Sequence, residues 1–278
     1  MSKIFDTHSH YNLDPIYPHW INHYKKAFNQ KIYYSLIASD NLISSQKALK
    51  ISQQNSHLFS AIGLHPLECL TFTNQQSKKD KDWLDLKNFF TKNKKFCGSL
   101  IRAIGETGLD YFYLKTYPLK KQQIITDNQQ ELFFRHISLA NENNLPLIVH
   151  VRDQNFQAHQ DAIELLKKYY QFKKPVILHC LSGNKEYVKK ALELGCYLGL
   201  AGNITYENAQ NIQNLIAYIP KTNLLLETDC PYLPPTPFRG QTNLPWMIVK
   251  TGQFLVDNFQ FNLDQIFANS LKVFNLLN

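Results

Sequence analysis

Eight short runs of β-branched, aromatic and aliphatic residues recur along the chain, at 3–8 (KIFDTH), 31–39 (KIYYSLIAS), 58–64 (LFSAIGL), 101–105 (IRAIG), 146–151 (PLIVHV), 175–180 (PVILHC), 196–200 (CYLGL) and 223–228 (NLLLET). They are apolar at successive positions rather than at alternate ones. That pattern predicts parallel strands covered on both faces. Between them the apolar residues recur at helical spacing. Residues 121–144 predict a helix that stops at Asn143-Asn144, because Pro146 pushes the residue before it out of helical conformations. Residues 157–171, 184–194, 207–219 and 262–277 read the same way. Strand–helix alternation repeated in this manner predicts an α/β fold, a parallel (β/α)8 TIM barrel, with an open doubly wound sheet as the alternative. The length of 278 residues suits such a barrel, which typically needs about 250. No Ser/Gly-rich linker interrupts the alternation, so one domain over 1–278 is expected.

Residues 71–97 depart from the pattern. Positions 71–82 are polar, and Trp83, Leu84, Leu86, Phe89 and Phe90 lie on one face of a helix. The segment carries seven lysines and three aspartates. It is read as a solvated helix on the outer ring, with a nucleic-acid contact as the other reading.

Composition narrows the class. The chain is 44% hydrophobic and 13% aromatic, enough for a large core. No apolar run approaches the roughly 20 residues of a membrane helix, and no apolar leader precedes Asp6. The five cysteines, at 69, 97, 180, 196 and 230, are odd in number and include no Cys-x-x-Cys pair. Reduced thiols in a cytoplasmic protein are expected, not a disulfide framework or a structural zinc knuckle. The net charge of +8 favours anionic partners such as nucleic acid or phosphorylated substrates, although a generally lysine-rich composition produces the same charge without a partner.

The candidate chemistry lies where the strands end. In Ile4-Phe5-Asp6-Thr7-His8-Ser9-His10, residues i and i+2 of an extended strand share a face, so His8 and His10 can aim at one point. The third run leads into Gly63-Leu64-His65-Pro66 and the fourth into Gly105-Glu106-Thr107-Gly108-Leu109-Asp110. The fifth ends in His150-Val151-Arg152-Asp153, the sixth in His179-Cys180, and the eighth in Glu227-Thr228-Asp229-Cys230-Pro231. In a barrel these ends form one rim, the rim that carries active sites. The candidate ligands are His8, His10, Glu106, His150, His179 and Asp229. Six exceed the need of one tetrahedral ion and suit two divalent ions, with Mg²⁺, Mn²⁺ and Zn²⁺ all chemically compatible. Strand order makes His8, His10 and Asp229 neighbours, sets His150 beside His179, and leaves Glu106 to bridge.

Each residue also has a plainer reading. His179 suits a buried histidine bonded to a backbone carbonyl, Glu106 a pair with Arg102 or Arg152, and Asp229 a cap for the segment after Pro231. His65 is placed to touch substrate, Arg152 to hold a phosphate oxygen, and Asn203 to donate a hydrogen bond to substrate. His19, His23, His57, His136 and His159 are read as surface or packing residues. Cys180 and Cys230 have no activating partner and are not expected to be nucleophiles.

Taken in order, these six motifs resemble those of the TatD-type metal-dependent deoxyribonucleases, members of the amidohydrolase-like barrels, over residues 6 to about 245. The resemblance implies a (β/α)8 barrel, a divalent-metal centre ligated by His8, His10, Glu106, His150, His179 and Asp229, and phosphodiester hydrolysis on DNA, often 3′→5′ exonucleolytic. Glu106 stands where some amidohydrolase relatives carry a carboxylated lysine. There are two departures: the segment 71–98 is longer and more polar than expected, and the stretch after strand eight differs. A Gly-Lys-Arg-Asn-Glu-Pro-like segment is usual after strand eight, whereas this chain has Gly240-Gln241-Thr242-Asn243-Leu244-Pro245, with Arg239 just before it.

The expectation is therefore a cytoplasmic hydrolase, read as a monomer, that cleaves DNA single strands or 3′ ends. In it a metal-bridged hydroxide attacks phosphorus, Asp229 acts as general base, and Arg152 and His65 hold the phosphate. An amide or ester hydrolase using the same site, and a non-catalytic nucleic-acid-binding barrel, are the alternatives.

Overall fold

A computed structural model describes residues 2–72 and 76–277. Its strands are β1 (Ile4–Ser9), β2 (Ile32–Ile37), β3 (Leu58–Ile62), β4 (Ile101–Asp110), β5 (Leu147–Arg152), β6 (Val176–Leu178), β7 (Tyr197–Leu200) and β8 (Leu224–Leu226). They pair in parallel and in chain order, β1 to β8. All eight expected strands are present. The helices are α1 (Trp20–Asn29), α2 (Leu42–Gln54), α3 (Gln76–Cys97), α4 (Leu119–Asn143), α5 (Gln157–Tyr169), α6 (Lys185–Glu193), α7 (Gln210–Ile216), α8 (Ile248–Phe259) and α9 (Leu263–Val273).

The seam between β8 and β1 is closed by other means than a strand ladder. Thr7 Oγ1 donates to Leu226 O at 3.1 Å, Asp229 N–H to His8 O at 2.8 Å, and His10 N–H to Cys230 O at 2.9 Å. The fully buried Asp6 carboxyl takes the Thr228 N–H at 2.9 Å and the Thr228 hydroxyl at 2.7 Å. Strands eight and one therefore adjoin, as the motif order requires, and the barrel is nearly closed.

The lumen is filled by Phe5, Leu36, Phe59, Ala61, Ala103, Ile148, Ile177, Tyr197 and Leu225, with Val273 and Phe274 packed into the same cluster at the N-terminal end. A larger apolar layer lies between the strands and the helices. Such a filled interior makes the barrel a scaffold rather than a pore and leaves the opposite, C-terminal rim for chemistry.

Three helices go beyond the periodic segments named above: α1, α2 and α8. In α2 the buried face mixes Ser44, Ser45 and Ser52 with Ala48, Leu49 and Ile51, which interrupts the apolar stripe. Its start is fixed by a reciprocal cap, with Ser44 N–H donating to Asn41 Oδ1 and Asn41 N–H donating to Ser44 Oγ. Helix α4 ends with Asn144 in the left-handed conformation, two residues before Pro146, as expected.

The charged segment forms α3 on the outer ring, but it is not simply solvated. Lys79 is buried and bonded to Asn128 and Glu131 of α4, and Arg135 of α4 pairs with Asp80 at 2.6 Å. Trp83 packs against the ring of His136. The polar stretch ahead of the helix includes residues 73–75, which lie outside the described residues.

Candidate metal centre

Glu106 is the hub. Its Oε2 lies 3.1 Å from His8 Nε2 and 3.7 Å from His10 Nε2. Its Oε1 lies 2.8 Å from His179 Nε2, 2.9 Å from His150 Nδ1 and 3.5 Å from His65 Nε2. Asp229 Oδ1 completes the first side, 3.6 Å from His8 Nε2 and 3.4 Å from His10 Nε2. The carboxylate thus spans two imidazole pairs, and all six candidate ligands converge. His8 and His10 do share a face: their Nε2 atoms are 3.2 Å apart. His150 Nδ1 and His179 Nε2 are also 3.2 Å apart.

Local backbone irregularities make this convergence possible. Glu106 is inside β4, not at its end, because that strand runs on to Asp110 rather than stopping near Gly105. Pairing with β5 goes from Ile104↔Leu147 to Thr107↔Val149, so one extra residue is accommodated at Gly105-Glu106. A similar shift in β1 separates Asp6↔Ser35 from Ser9↔Ile37. Bulges re-aim side chains next to sites, and here they serve Glu106 and His8. Gly108 is required by close approach: a Cβ there would sit 2.0 Å from the His150 carbonyl oxygen, and its φ is +138°. Asp229 itself has φ 54°, a left-handed conformation that Asp tolerates better than most residues.

An outer ring of carboxylates, which the strand-end reading leaves without a role, backs the imidazoles. His10 Nδ1 faces Asp40 Oδ1 at 3.6 Å, His150 Nε2 faces Asp110 Oδ2 at 3.2 Å, and His179 Nδ1 faces Glu227 Oε1 at 3.7 Å. Each of these rings points one nitrogen inward and the other at an acid. Such partners fix the tautomer of a ligating imidazole and raise its basicity. Glu227 is fully buried and accepts the Cys180 N–H at 2.5 Å. Asp110 and Glu227 lie within the quoted motifs. Asp40 carried no motif signal, since it follows β2 in a loop.

The electrostatics follow from the packing. Burial alone would raise the Glu106 carboxyl, but His179, His8, His65 and His150 outweigh it and hold the group well below the usual carboxylate range. Burial also lowers His10, yet Asp40, Asp229 and Glu106 prevail and raise it to about 9. His65 is pushed down to about 3 by burial and by His150. Its Nδ1 accepts the Leu67 N–H at 3.1 Å, so the proton of the neutral ring is assigned to Nε2, facing Glu106.

The plainer readings of the ligands do not match these contacts. The Glu106 carboxylate faces imidazoles, whereas Arg102 stacks over Phe59 and Arg152 over Phe112. Arg152 is exposed at the end of β5, its guanidinium carbon 4.0 Å from the Phe112 ring centre. Asn203 sits in the turn after β7 with its amide 3.9 Å from Cys180 Sγ, beside the cluster rather than in it. All five cysteines are free, and burial pushes the Cys180 thiol well up, which suits its exclusion as a nucleophile. His136 and His159 are buried packing residues, His136 bonded to Leu64 N–H and to Leu132 O.

Triads of imidazole and carboxylate atoms within 4.8 Å of one another recur in the cluster: His8–Glu106–His179, His8–His10–Asp229, His65–Glu106–His150 and His10–Asp40–Glu106. Imidazole nitrogens aimed at one another at hydrogen-bond distance, with carboxylate oxygens between, fit a donor set for divalent cations. A parallel barrel bearing such a cluster on its C-terminal rim defines a metal-dependent barrel hydrolase. A model of the TatD related DNase family matches residues 5–275, and the chain belongs to that family.

Relatives agree with the assignment. An uncharacterized metal-dependent hydrolase of Mycoplasma pneumoniae is 34% identical over 272 residues, 95% of each chain. The uncharacterized metal-dependent hydrolase YabD of Bacillus subtilis is 29% identical over 263 residues, 95% of this chain and 94% of its own. Among solved structures, YJJV, a TatD homolog from Escherichia coli K12, superposes with a TM-score of 0.82 at 25% identity, covering 98% of each chain. No helix among the described residues is long and apolar enough to cross a membrane.

Proposed function

We propose that this protein hydrolyses phosphodiester bonds in DNA with two divalent ions, acting on single strands or 3′ ends in the 3′→5′ direction, as a cytoplasmic monomer. The observation that carries the reading is the placing of Glu106 between two imidazole pairs, one of them completed by Asp229. His8, His10 and Asp229 would hold one ion, His150 and His179 the other, with Glu106 shared; Mg²⁺, Mn²⁺ and Zn²⁺ all suit these donors. Bound divalent ions supply Lewis-acid polarisation of a phosphoryl oxygen and bring the pKa of water near neutrality.

The chain's own groups do the rest. Asp229 is held below the ordinary carboxylate range: burial raises it, but its bond to His10 and the nearby His179 and His8 lower it further. It stays ionised near neutrality and takes the proton of the attacking water. Arg152 presents N–H groups from a guanidinium whose face is held by Phe112, so its edge is free for a phosphate oxygen. His65, neutral with its proton on Nε2, donates a hydrogen bond rather than a charge. Asn203 lies next to Cys180 and reaches substrate only beyond that contact. Family membership supports a nucleic-acid substrate, and the net charge of +8 is compatible with one.

The test is hydrolysis of an end-labelled single-stranded oligonucleotide after EDTA treatment, with Mg²⁺, Mn²⁺ or Zn²⁺ added back and His179→Ala as control. A metal-restored ladder shortening from the 3′ end and lost in the variant is expected. Absence of cleavage by a protein that binds two ions would turn the assignment toward an amide or ester hydrolase. Asp229→Asn with metal bound and turnover near wild type would remove the general-base role.

A further inference from the structure

Two groups of aromatic side chains flank the cluster on opposite sides of the rim. On one side Phe112 and Tyr113 follow β4, with ring centres 5.0 Å apart. The Arg152 guanidinium at the end of β5 lies 4.0 Å from the Phe112 centre and 5.5 Å from that of Tyr113, which is 42% exposed. On the other side Tyr232 follows β8. It is 52% exposed, and its ring meets His10 edge-on at 6.0 Å. In the loop after β7, which is bonded to the loop carrying Tyr232, the Tyr206 ring is covered by Arg239 at 4.6 Å. In an eight-stranded barrel β4 stands across from β8, so the two groups face one another over the cluster.

Both groups are braced against cluster residues. Asp110 faces His150 with one carboxylate oxygen and accepts the Phe112 N–H with the other, at 3.0 Å. Gln129 bonds the Asp110 backbone from both sides of its amide, at 2.8 and 3.0 Å. Across the rim, Tyr232 N–H donates to the Asp229 carbonyl at 2.8 Å. The Tyr206 hydroxyl donates to Pro234 O at 2.9 Å, and Thr236 N–H donates to Thr205 Oγ1 at 2.8 Å, which ties the loop after β7 to the loop after β8. Exposed rings carried on backbone braced in this way start from a fixed base, so a ligand that covers them orders little besides the ring itself.

Aromatic faces accompanied by arginines bind the bases of unpaired strands, because every base has a π-face and every linkage a negative charge. We propose that Phe112–Tyr113 with Arg152, and Tyr232 with the Tyr206–Arg239 pair, are two stacking platforms. They grip unpaired nucleotides on either side of the scissile phosphate, and this rests on the DNA-hydrolase reading above. Bases inside a duplex already stack on one another, so the platforms select single-stranded DNA.

The test measures binding of labelled oligothymidylate, and of an abasic strand of equal length, to metal-stripped protein by fluorescence anisotropy. Tyr113→Ala and Tyr232→Ala are each expected to weaken oligothymidylate binding about tenfold. The loss should vanish on the abasic strand, which has the charge but not the bases. Tyr113→Phe and Tyr232→Phe keep the rings and should retain wild-type affinity, which separates stacking from a folding defect. Alanine variants that bind oligothymidylate as tightly as wild type, or that lose equal affinity for both strands, overturn the platforms while cleavage by the wild-type protein leaves the nuclease reading in place. A wild-type protein that neither binds nor cleaves any oligonucleotide removes that reading and the platforms together.

Discussion

His179 Nε2 lies 2.8 Å from Glu106 Oε1, the shortest of the contacts that link the two halves of the cluster through one carboxylate. Replacing one of the two oxygens with an amide N–H₂ leaves one half facing a donor. Glu106→Gln is therefore expected to lower divalent-ion affinity by at least about a hundredfold, the upper end of what losing an outer partner costs. Calorimetric titration of Mn²⁺ into metal-stripped protein measures it directly. Two ions bound with wild-type affinity would contradict the bridging role.

The outer acids should matter less than the inner ones but still measurably. Asp40→Asn, Asp110→Asn and Glu227→Gln keep size and can still accept a hydrogen bond, yet they no longer offer a charge to His10, His150 and His179. Each is expected to reduce metal affinity or turnover by about 10- to 100-fold. The same titration, run beside a surface substitution such as Lys189→Gln, separates this from a general effect of charge.

Gly199 in β7 leaves room for an acid just past the end of the next strand. A Cβ there would lie 2.1 Å from Glu227 Oε2, so Gly199→Ala forces the carboxylate away from Cys180 N–H and His179. Overpacking of this kind costs about 1–3 kcal/mol. We expect a melting temperature lowered by several degrees together with the metal-affinity loss of Glu227→Gln. A variant with a normal melting temperature and normal affinity would show that the strands shift instead.

His136 supplies a pH dependence from outside the six candidate ligands. It is fully buried, accepts the Leu64 N–H and faces Leu132 O, and burial lowers its pKa to about 4. The unfolded chain binds this proton near pH 6.5 and the folded one does not until about 4. The resulting stability is full above the unfolded value and is lost as pH falls from there toward 4, by about 3 kcal/mol for the fully buried group. Denaturant unfolding of wild type and His136→Gln at several pH values tests this. The wild type should lose more stability over that window, and parallel curves would refute the assignment.

Much of the centre is visible before folding because strand ends in a parallel barrel converge by construction. Knowing that Ile4–Ser9, Leu147–Arg152, Val176–Leu178 and Leu224–Leu226 are parallel neighbours or opposites suffices to gather His8, His10, His150, His179 and Asp229. The apolar pattern puts Glu106 on the right strand but at its end rather than at a bulge inside it, since an extra residue in one strand changes pairing without changing composition. Asp40 gives no signal in the sequence: it lies in a loop after β2, and only the fold brings its carboxylate to His10.

The sequence by itself determined the eight strands, most of the helices between them and the donor-bearing side chains at the strand ends, because apolar periodicity and side-chain chemistry are local properties. Only the tertiary structure decided which nitrogen of each histidine faces inward, which acids stand behind them, and where Arg152 points. Those are relations between β2, β4, β5 and β8 and the loops after them, separated by tens of residues in the chain, and the barrel's register, bulges and glycine contacts set them.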